Sequence, residues 1–407
     1  MTDRSAMYSF GIEEEYLLVD LETRDLAPVA PDALLAACKK RLGEHFSREY
    51  MSAQIEFATP VCNTSTQARR HLYRSRRTIA AAAADCGLAP IAAATHPFAA
   101  WRKQRHTGAP RYQSLADDLQ GLGRRMIING LHVHVGIESN TERIRLMNEL
   151  RPYLPMLLAL STSSPFWEAD DTGLKSYRTA INDSTPRKGI PETFDSWLDY
   201  QRTVAVLCKS GVIEDATKIW WDLRPSARYP TLEMRIADAC PLVEDGICIA
   251  SLFRCICRYL TRTRFTGNFG KSRRTNRTHA PLALINENRW RAQRYGIERG
   301  LLDLQNGHIA SFGEMLEDLL EMIGDDAEFF ECTGDVEHAR TILQRGTSAD
   351  RQLAENVRLR QQGNSSRAAL MGVVDLLITE TAETRKTSRG TLLERRLPIT
   401  LAATQRA

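Results

Sequence analysis

Gly11-Ile12-Glu13-Glu14-Glu15-Tyr16-Leu17-Leu18-Val19-Asp20 places three acids at the head of an aromatic, aliphatic and β-branched run. That composition predicts a β-strand. Side chains alternate faces along a strand, so Glu13 and Glu15 leave the same side roughly 6–7 Å apart. Two carboxylates turned toward a protein interior are costly unless something positive lies between them. A hard cation, which takes oxygen ligands, meets that need. An edge strand with its acids in water fits the same spacing, so this segment alone leaves both arrangements open.

Three later segments repeat the pattern. In Ser52-Ala53-Gln54-Ile55-Glu56-Phe57-Ala58-Thr59-Pro60, Glu56 lies opposite in face to Ile55 and Phe57, shares its side with Gln54, and precedes a strand-ending proline. Glu49 reaches the same place if the chain bends between them. Gly130-Leu131-His132-Val133-His134-Val135-Gly136 alternates strictly, and both imidazoles leave one face. His-x-His on a strand is a compact ligand pair for Mn²⁺ or Zn²⁺, and equally a pair of satisfied polar histidines. In Thr231-Leu232-Glu233-Met234-Arg235-Ile236-Ala237-Asp238 the polar face carries Glu233 and Arg235. These form either a plain ion pair or a cation ligand beside a guanidinium fork for phosphate.

Four strands with one apolar face and one face of Glu, His or Arg are poorly explained as four independent wet surfaces. One antiparallel sheet whose polar face collects cations and phosphates accounts for all of them. Such a set suits ATP handled with divalent ions, where charge neutralisation supplies most of the catalysis. The usual nucleotide devices are missing. Gly270-Lys271-Ser272 looks like the end of a phosphate loop, but Phe265 stands where its first glycine belongs. Gly121-Leu122-Gly123 lacks the third glycine of a dinucleotide fingerprint and precedes a strand.

Composition sets the remaining bounds. The 407 residues are 43% hydrophobic and 26% charged, as expected for a soluble globular protein, and no linker-like composition break divides them. Net charge of +4, with Arg spread along the chain, argues against nucleic acid. No apolar run reaches the roughly 18 residues a membrane span needs, and no hydrophobic signal region opens the chain, so a cytoplasmic location is expected. Nine scattered cysteines without CxxC pairing are expected to be reduced and buried.

Helices separate the strands. Residues 64–86 read as a helix opened by Asn63 or Thr64 and closed by Gly87. A second over 141–160 should break or kink at Pro152 and Pro155. A third covers 242–264, and the chain beyond 310 is expected to be wholly helical, wrapping the sheet without supplying chemistry. Residues 1–383 are taken as one catalytic domain and 384–407 as a basic, mobile tail. The polar stretch 183–200, with Pro186, Gly189 and Pro191, is expected to be a lid that keeps water from a labile intermediate.

The quoted segments resemble the glutamate–cysteine ligase type 2 family in order and in residues. So do Ser163-Ser164-Pro165-Phe166-Trp167, Asp171-Thr172-Gly173-Leu174-Lys175-Ser176-Tyr177-Arg178, Trp221-Asp222-Leu223-Arg224-Pro225-Ser226 and Glu287-Asn288-Arg289-Trp290. The matches run from about residue 8 to about residue 380. The resemblance implies an α+β fold like the glutamine synthetase catalytic domain: a curved antiparallel sheet, polar on its concave face and backed by helices. It implies an ATP-dependent carboxylate–amine ligase that forms an amide, expected to be γ-glutamyl, through an acyl phosphate, with weak or genuine glutamate–cysteine ligase activity. Glu13, Glu15, Glu49, Glu56, His132 and Glu233 would then hold Mg²⁺, or Mn²⁺ in its place. Arg235 would contact the transferred phosphate, and Arg178 would grip the substrate carboxylate. Arg224 and Trp221 would line the nucleotide pocket, and His134 would orient its neighbours. Trp167, Trp220 and Trp290 are expected in the core or in pocket walls. The partners are a small carboxylate, with glutamate expected, and an amine; a homodimer is left open. Two other readings compete: a metallohydrolase using His132 and His134, and a phosphotransferase of the guanidino kinase kind.

Overall fold

The computed structural model describes residues 7–266 and 280–382. Gly270-Lys271-Ser272 and the basic segment 384–407 lie outside the described residues.

The strand read from Gly11–Asp20 is β1 (Phe10–Asp20), the spine of a seven-stranded sheet. It pairs with β3 (Gln54–Ala58), β4 (Leu88–Ile91) and β5 (Leu131–Gly136), and β2 (Phe46–Arg48) pairs with β3. A short hairpin, β6 (Phe166–Trp167) and β7 (Asp170–Asp171), stands apart, and β8 (Leu223–Pro225) and β9 (Thr231–Met234) complete the sheet. The order is β2-β3-β1-β5-β9-β8, with β4 also on β1, and every pairing is antiparallel.

Register gathers the polar residues. Glu15 pairs with Glu56, Glu13 with His132, His134 with Glu233, and Glu233 with Arg224. The opposite face carries Ile12, Tyr16, Ile55, Phe57, Val133, Leu232 and Met234, all buried. A one-residue slip of β1, β3 or β9 would put carboxylates into that core, so burial fixes the register.

The helices are α1 (Asp32–Leu42), α2 (Ser65–Ala84), α3 (Pro110–Leu119), α4 (Asn140–Leu150), α5 (Leu154–Ser161), α6 (Tyr177–Asp183), α7 (Trp197–Lys209), α8 (Val243–Thr266) and α9 (Leu282–Tyr295). Helix α2 opens at Thr64, whose hydroxyl and Gln67 form a reciprocal cap, and Gly87 beyond its end takes φ +71°. Pro152 and Pro155 divide the expected 141–160 helix into α4 and α5 through a short 3₁₀ turn. Beyond residue 310 lie α10 (Phe312–Met322), α11 (Gly324–Phe329), α12 (Thr333–Arg345), α13 (Ser348–Gln361) and α14 (Ser366–Ala382).

Glu14 is the acid that faces the core. Arg76 of α2 holds it bidentately, at 2.6 and 3.0 Å, and also donates to the Cys240 carbonyl. Tyr16 donates its hydroxyl to the same carboxylate. None of the nine cysteines forms a disulfide, and seven are buried. Among the described residues, no helix is long and apolar enough to cross a membrane.

Candidate active site

The polar face of the sheet floors a cavity of about 520 Å³. Strand alternation delivers Glu13 and Glu15 from β1, Gln54 and Glu56 from β3, and His132 and His134 from β5. Glu49, between β2 and β3, arrives through the bend the sequence required. Arg178, at the start of α6, and Arg224, Glu233 and Arg235 complete the floor and one wall.

The acids divide into two groups. Ligand atoms of Glu15, Glu49 and Glu56 lie within 4.8 Å of one another, as do those of Glu13, His134 and Glu233. Burial raises Glu15 to about 7, with the nearby Glu49 adding to it. Burial likewise raises Glu56 well above the usual carboxylate range, followed by repulsion from Glu13, Glu49 and Glu15. In the second group burial pushes Glu13 upward, but hydrogen bonds to His132 and His134 outweigh it and hold it well below normal. Glu233 is also lowered: burial opposes its charge, and Arg235 and Arg224 more than compensate. Arg224 grips it at 2.9 and 3.1 Å, and Arg235 donates to the same carboxylate.

Both groups fit divalent cations on donor chemistry. Three converging carboxylates suit a hard ion, and two carboxylates with one imidazole suit Mg²⁺ poorly but Mn²⁺ well. His134 sharpens this fit. Its Nδ1 is fixed 3.0 Å from the Thr231 hydroxyl, while its buried Nε2 sits 3.1 Å from Glu13 Oε1.

Comparison with known proteins gives the family. The family model described as Glutamate-cysteine ligase family 2 matches residues 9–371. The chain belongs to that family. A relative from Rhodospirillum rubrum is 49% identical over 382 residues, covering 93% of this chain and 96% of its own. One from Jannaschia sp. is 47% identical over 373 residues, covering 92% and 96%. Both carry the name "Putative glutamate--cysteine ligase 2". Among solved structures, a glutamate–cysteine ligase from Francisella tularensis in complex with AMP superposes with a TM-score of 0.64 at 12% identity, covering 94% of this chain and 90% of that one. A bifunctional glutathione synthetase from Pasteurella multocida gives 0.65 at 16%, covering 93% and 53%. These last two establish the fold, which is the glutamine synthetase-like one.

In this family 2 chain the expected residues are distributed unevenly. Glu13, Glu15, Glu49, Glu56, Glu233 and Arg235 converge on the cavity. His132 lies between the two groups, 3.3 Å from Glu13 and 3.9 Å from Glu15, and His134 takes the place beside Glu233. The cause is register, since His134 is the residue paired with Glu233. Burial, then Arg235, pushes His132 down to about 3, so its imidazole is neutral. Arg178, in the first turn of α6, is buried; two of its N–H groups reach the carbonyls of Ile236 and Arg235 at 3.1 and 3.0 Å. Arg224 is committed to Glu233. Trp221 turns away from the cavity toward Phe194 and Tyr200, because alternation gives the inner face to Trp220, Asp222 and Arg224. Trp167 is in the core, whereas Trp290 is half exposed on α9, outside both core and pocket wall.

Lys188 escaped the sequence reading. Its Nζ donates to the Asn182 side chain at 2.9 Å and lies 5.3 Å over the Trp220 ring, and the residue lines the cavity. Burial, then Arg235 and Arg178, holds its ammonium well below the usual lysine range. Only the mixed Pro-Arg-Lys-Gly composition of its loop hinted at it. Arg289, within the Glu287–Trp290 segment, ties α9 to the cavity wall through Asp222 and Asp183, at 2.6 and 2.7 Å.

Proposed function

We propose that this chain is an ATP-dependent carboxylate–amine ligase that activates glutamate as an acyl phosphate and passes the acyl group to an amine. The observation that supports it is the pairing of two acidic groups with Arg178, Arg235 and Lys188 in one cavity. Such a site positions and neutralises charge, which is what phosphoryl transfer demands.

In the first step a substrate carboxylate oxygen attacks the γ-phosphorus, the bond to the β–γ bridging oxygen breaks, and ADP leaves. In the second the amine nitrogen attacks the acyl carbon, the bond to the phosphate oxygen breaks, and phosphate leaves with one amine proton released. Glu15, Glu49 and Glu56, and Glu13, His134 and Glu233, would hold divalent cations, with His132 between them. Bound Mg²⁺ or Mn²⁺ would neutralise the triphosphate charge. Arg235 lies beside Glu233 and contacts the transferring phosphoryl group. Arg178, with N–H donors left over, orients the acid. Arg224 keeps Glu233 ionised and aimed.

The test is ADP release from purified protein with ATP and Mg²⁺, with and without glutamate, across an amine panel that includes cysteine. The expected result is release that needs both glutamate and an amine, lowered about 100-fold or more by Glu233→Gln. Tight Zn²⁺ binding with hydrolysis that ignores ATP would overturn the ligase in favour of a metallohydrolase. A phosphorylated product without an amide would overturn it in favour of a phosphotransferase.

A further inference from the structure

The acyl-transfer step releases a proton, and the cavity holds a group placed to take it. Glu13, Glu15, Glu49, Glu56 and Glu233 are committed to cations in the reading above, and Asp222 is held by Arg289 at 2.6 Å. His132, pushed down to about 3, is too weak a base near neutral pH. Lys188 is differently placed. Its Nζ donates to a neutral partner, the Asn182 amide oxygen, at 2.9 Å and lies 5.3 Å over the Trp220 ring. Burial, then Arg235 beyond β9 and Arg178 of α6, disfavours its ammonium, while Asp222 before β8 and Glu15 of β1 favour it less. The group is thereby shifted toward a neutral amine, whose lone pair accepts a proton.

Arg289 fixes where that amine sits. Its Nη1 and Nη2 donate to Asp183 at 2.7 and 2.8 Å, and its Nε donates to Asp222 at 2.6 Å. Asp183 is the last residue of α6, next to Asn182. The Asp222 N–H donates to the Gly189 carbonyl at 2.8 Å, and the Asp222 carbonyl accepts the Arg235 N–H at 2.8 Å. One buried guanidinium therefore ties both ends of the Lys188 segment to each other and to Arg235. Spanning two carboxylates takes a planar fork of donors, which a lysine lacks.

We propose that Lys188 is the general base of the acyl-transfer step, held in place by Arg289 as a positioning residue. This deepens the ligase reading and rests on it. As the acceptor nitrogen bonds to the acyl carbon, the bond from that carbon to the phosphate oxygen breaks and its electron pair leaves with phosphate. The proton on nitrogen moves to the Lys188 Nζ lone pair, and the N–H bonding electrons stay on the amide nitrogen. Lys188 then returns the proton to solvent. General-base assistance of this kind contributes about 100- to 10,000-fold.

The experiment uses purified protein with ATP, Mg²⁺ and glutamate, and ammonia, ethylamine, cysteine or hydroxylamine as acceptor. The first three must shed a proton to react. Hydroxylamine is uncharged and strongly nucleophilic at neutral pH, so it traps an acyl phosphate unaided. We expect Lys188→Gln to lower amide formation with the fastest amine about 100-fold or more, and hydroxamate formation less than about fivefold. Lys188→Arg keeps the charge but has no lone pair to accept a proton, and should not restore the amide rate. Asp183→Asn, which loosens the hold of Arg289, should lower the amide rate, spare the hydroxamate rate and leave KM for ATP unchanged. Equal losses of amide and hydroxamate would overturn the proposal, as would recovery of the amide rate in Lys188→Arg. Wild-type protein that yields no ADP, amide or hydroxamate would instead overturn the ligase reading itself.

Discussion

Glu56 shows what one side chain contributes at this site. It faces Glu15 across the β1–β3 pair and shares its surroundings with Glu49 and Glu13. Like charges directly opposite on a sheet are destabilising, so the protein carries a local cost that a bound cation removes. Mg²⁺ at about 100 times its Kd should stabilise the wild type by about 2.7 kcal/mol. Glu56→Gln should melt higher than wild type without cations and lose most of the Mg²⁺-induced shift. Thermal melting with and without EDTA reads both, and an undiminished shift in the variant would remove Glu56 from the cation site. Lys188 is the second residue of this kind. If its Nζ acts at the acyl-transfer step, Lys188→Met should lower amide formation about 100-fold and raise ADP released per amide, with little change in melting temperature. A parallel fall in both products would mean that the lysine does not guard the intermediate.

At the scale of elements, the stretch after α6 was expected to be a lid. Its middle is pinned: the Arg187 carbonyl accepts from the Trp220 N–H at 3.0 Å and the Gly189 carbonyl from the Asp222 N–H at 2.8 Å. Arg187 and Gly189 both have positive φ, +58° and +86°, which brackets Lys188 and directs it inward. The segment thus runs beside the chain that enters β8 and contributes Thr185 and Lys188 to the cavity lining. The other joint between elements is the Glu14–Arg76 pair, buried at 2% exposure on both sides and linking β1 to α2. Removing one partner strands a buried charge, so Glu14→Gln should cost about 3–5 kcal/mol. Denaturant unfolding measures this, and a loss below about 1 kcal/mol would show that the guanidinium finds another partner.

For the whole molecule, acid stability follows from His96. Its Nδ1 accepts N–H groups from Phe98 and Ala99 at 3.1 and 2.9 Å, which places the ring proton on Nε2, 2.8 Å from the Arg24 carbonyl. A second proton on Nδ1 would face two donors. Burial lowers this group from 6.5 to about 4. A His depressed in the folded state binds protons more readily when unfolded, so its contribution is present above pH 6.5 and lost as pH falls toward 4. The loss amounts to on the order of 3 kcal/mol. Unfolding free energies of wild type and His96→Gln should therefore converge by about that amount between pH 7 and pH 4, and parallel curves would exclude His96 as the cause.

The polar faces of β1, β3, β5 and β9 were legible because a strand's period of two assigns each side chain to a face without reference to anything distant. The caps at Thr64 and Gly87, and the break at Pro152 and Pro155, were legible for the same local reason. Tertiary structure decided which strands pair and in which register, and burial of Ile12, Ile55, Val133 and Leu232 on the far face enforces that choice. Register in turn put His134 beside Glu233, turned Trp221 outward, and left Glu14 for Arg76. The inward Lys188 and the ties of Arg289 to Asp183 and Asp222 depend on contacts between segments many residues apart, for which no local spacing carries a signal.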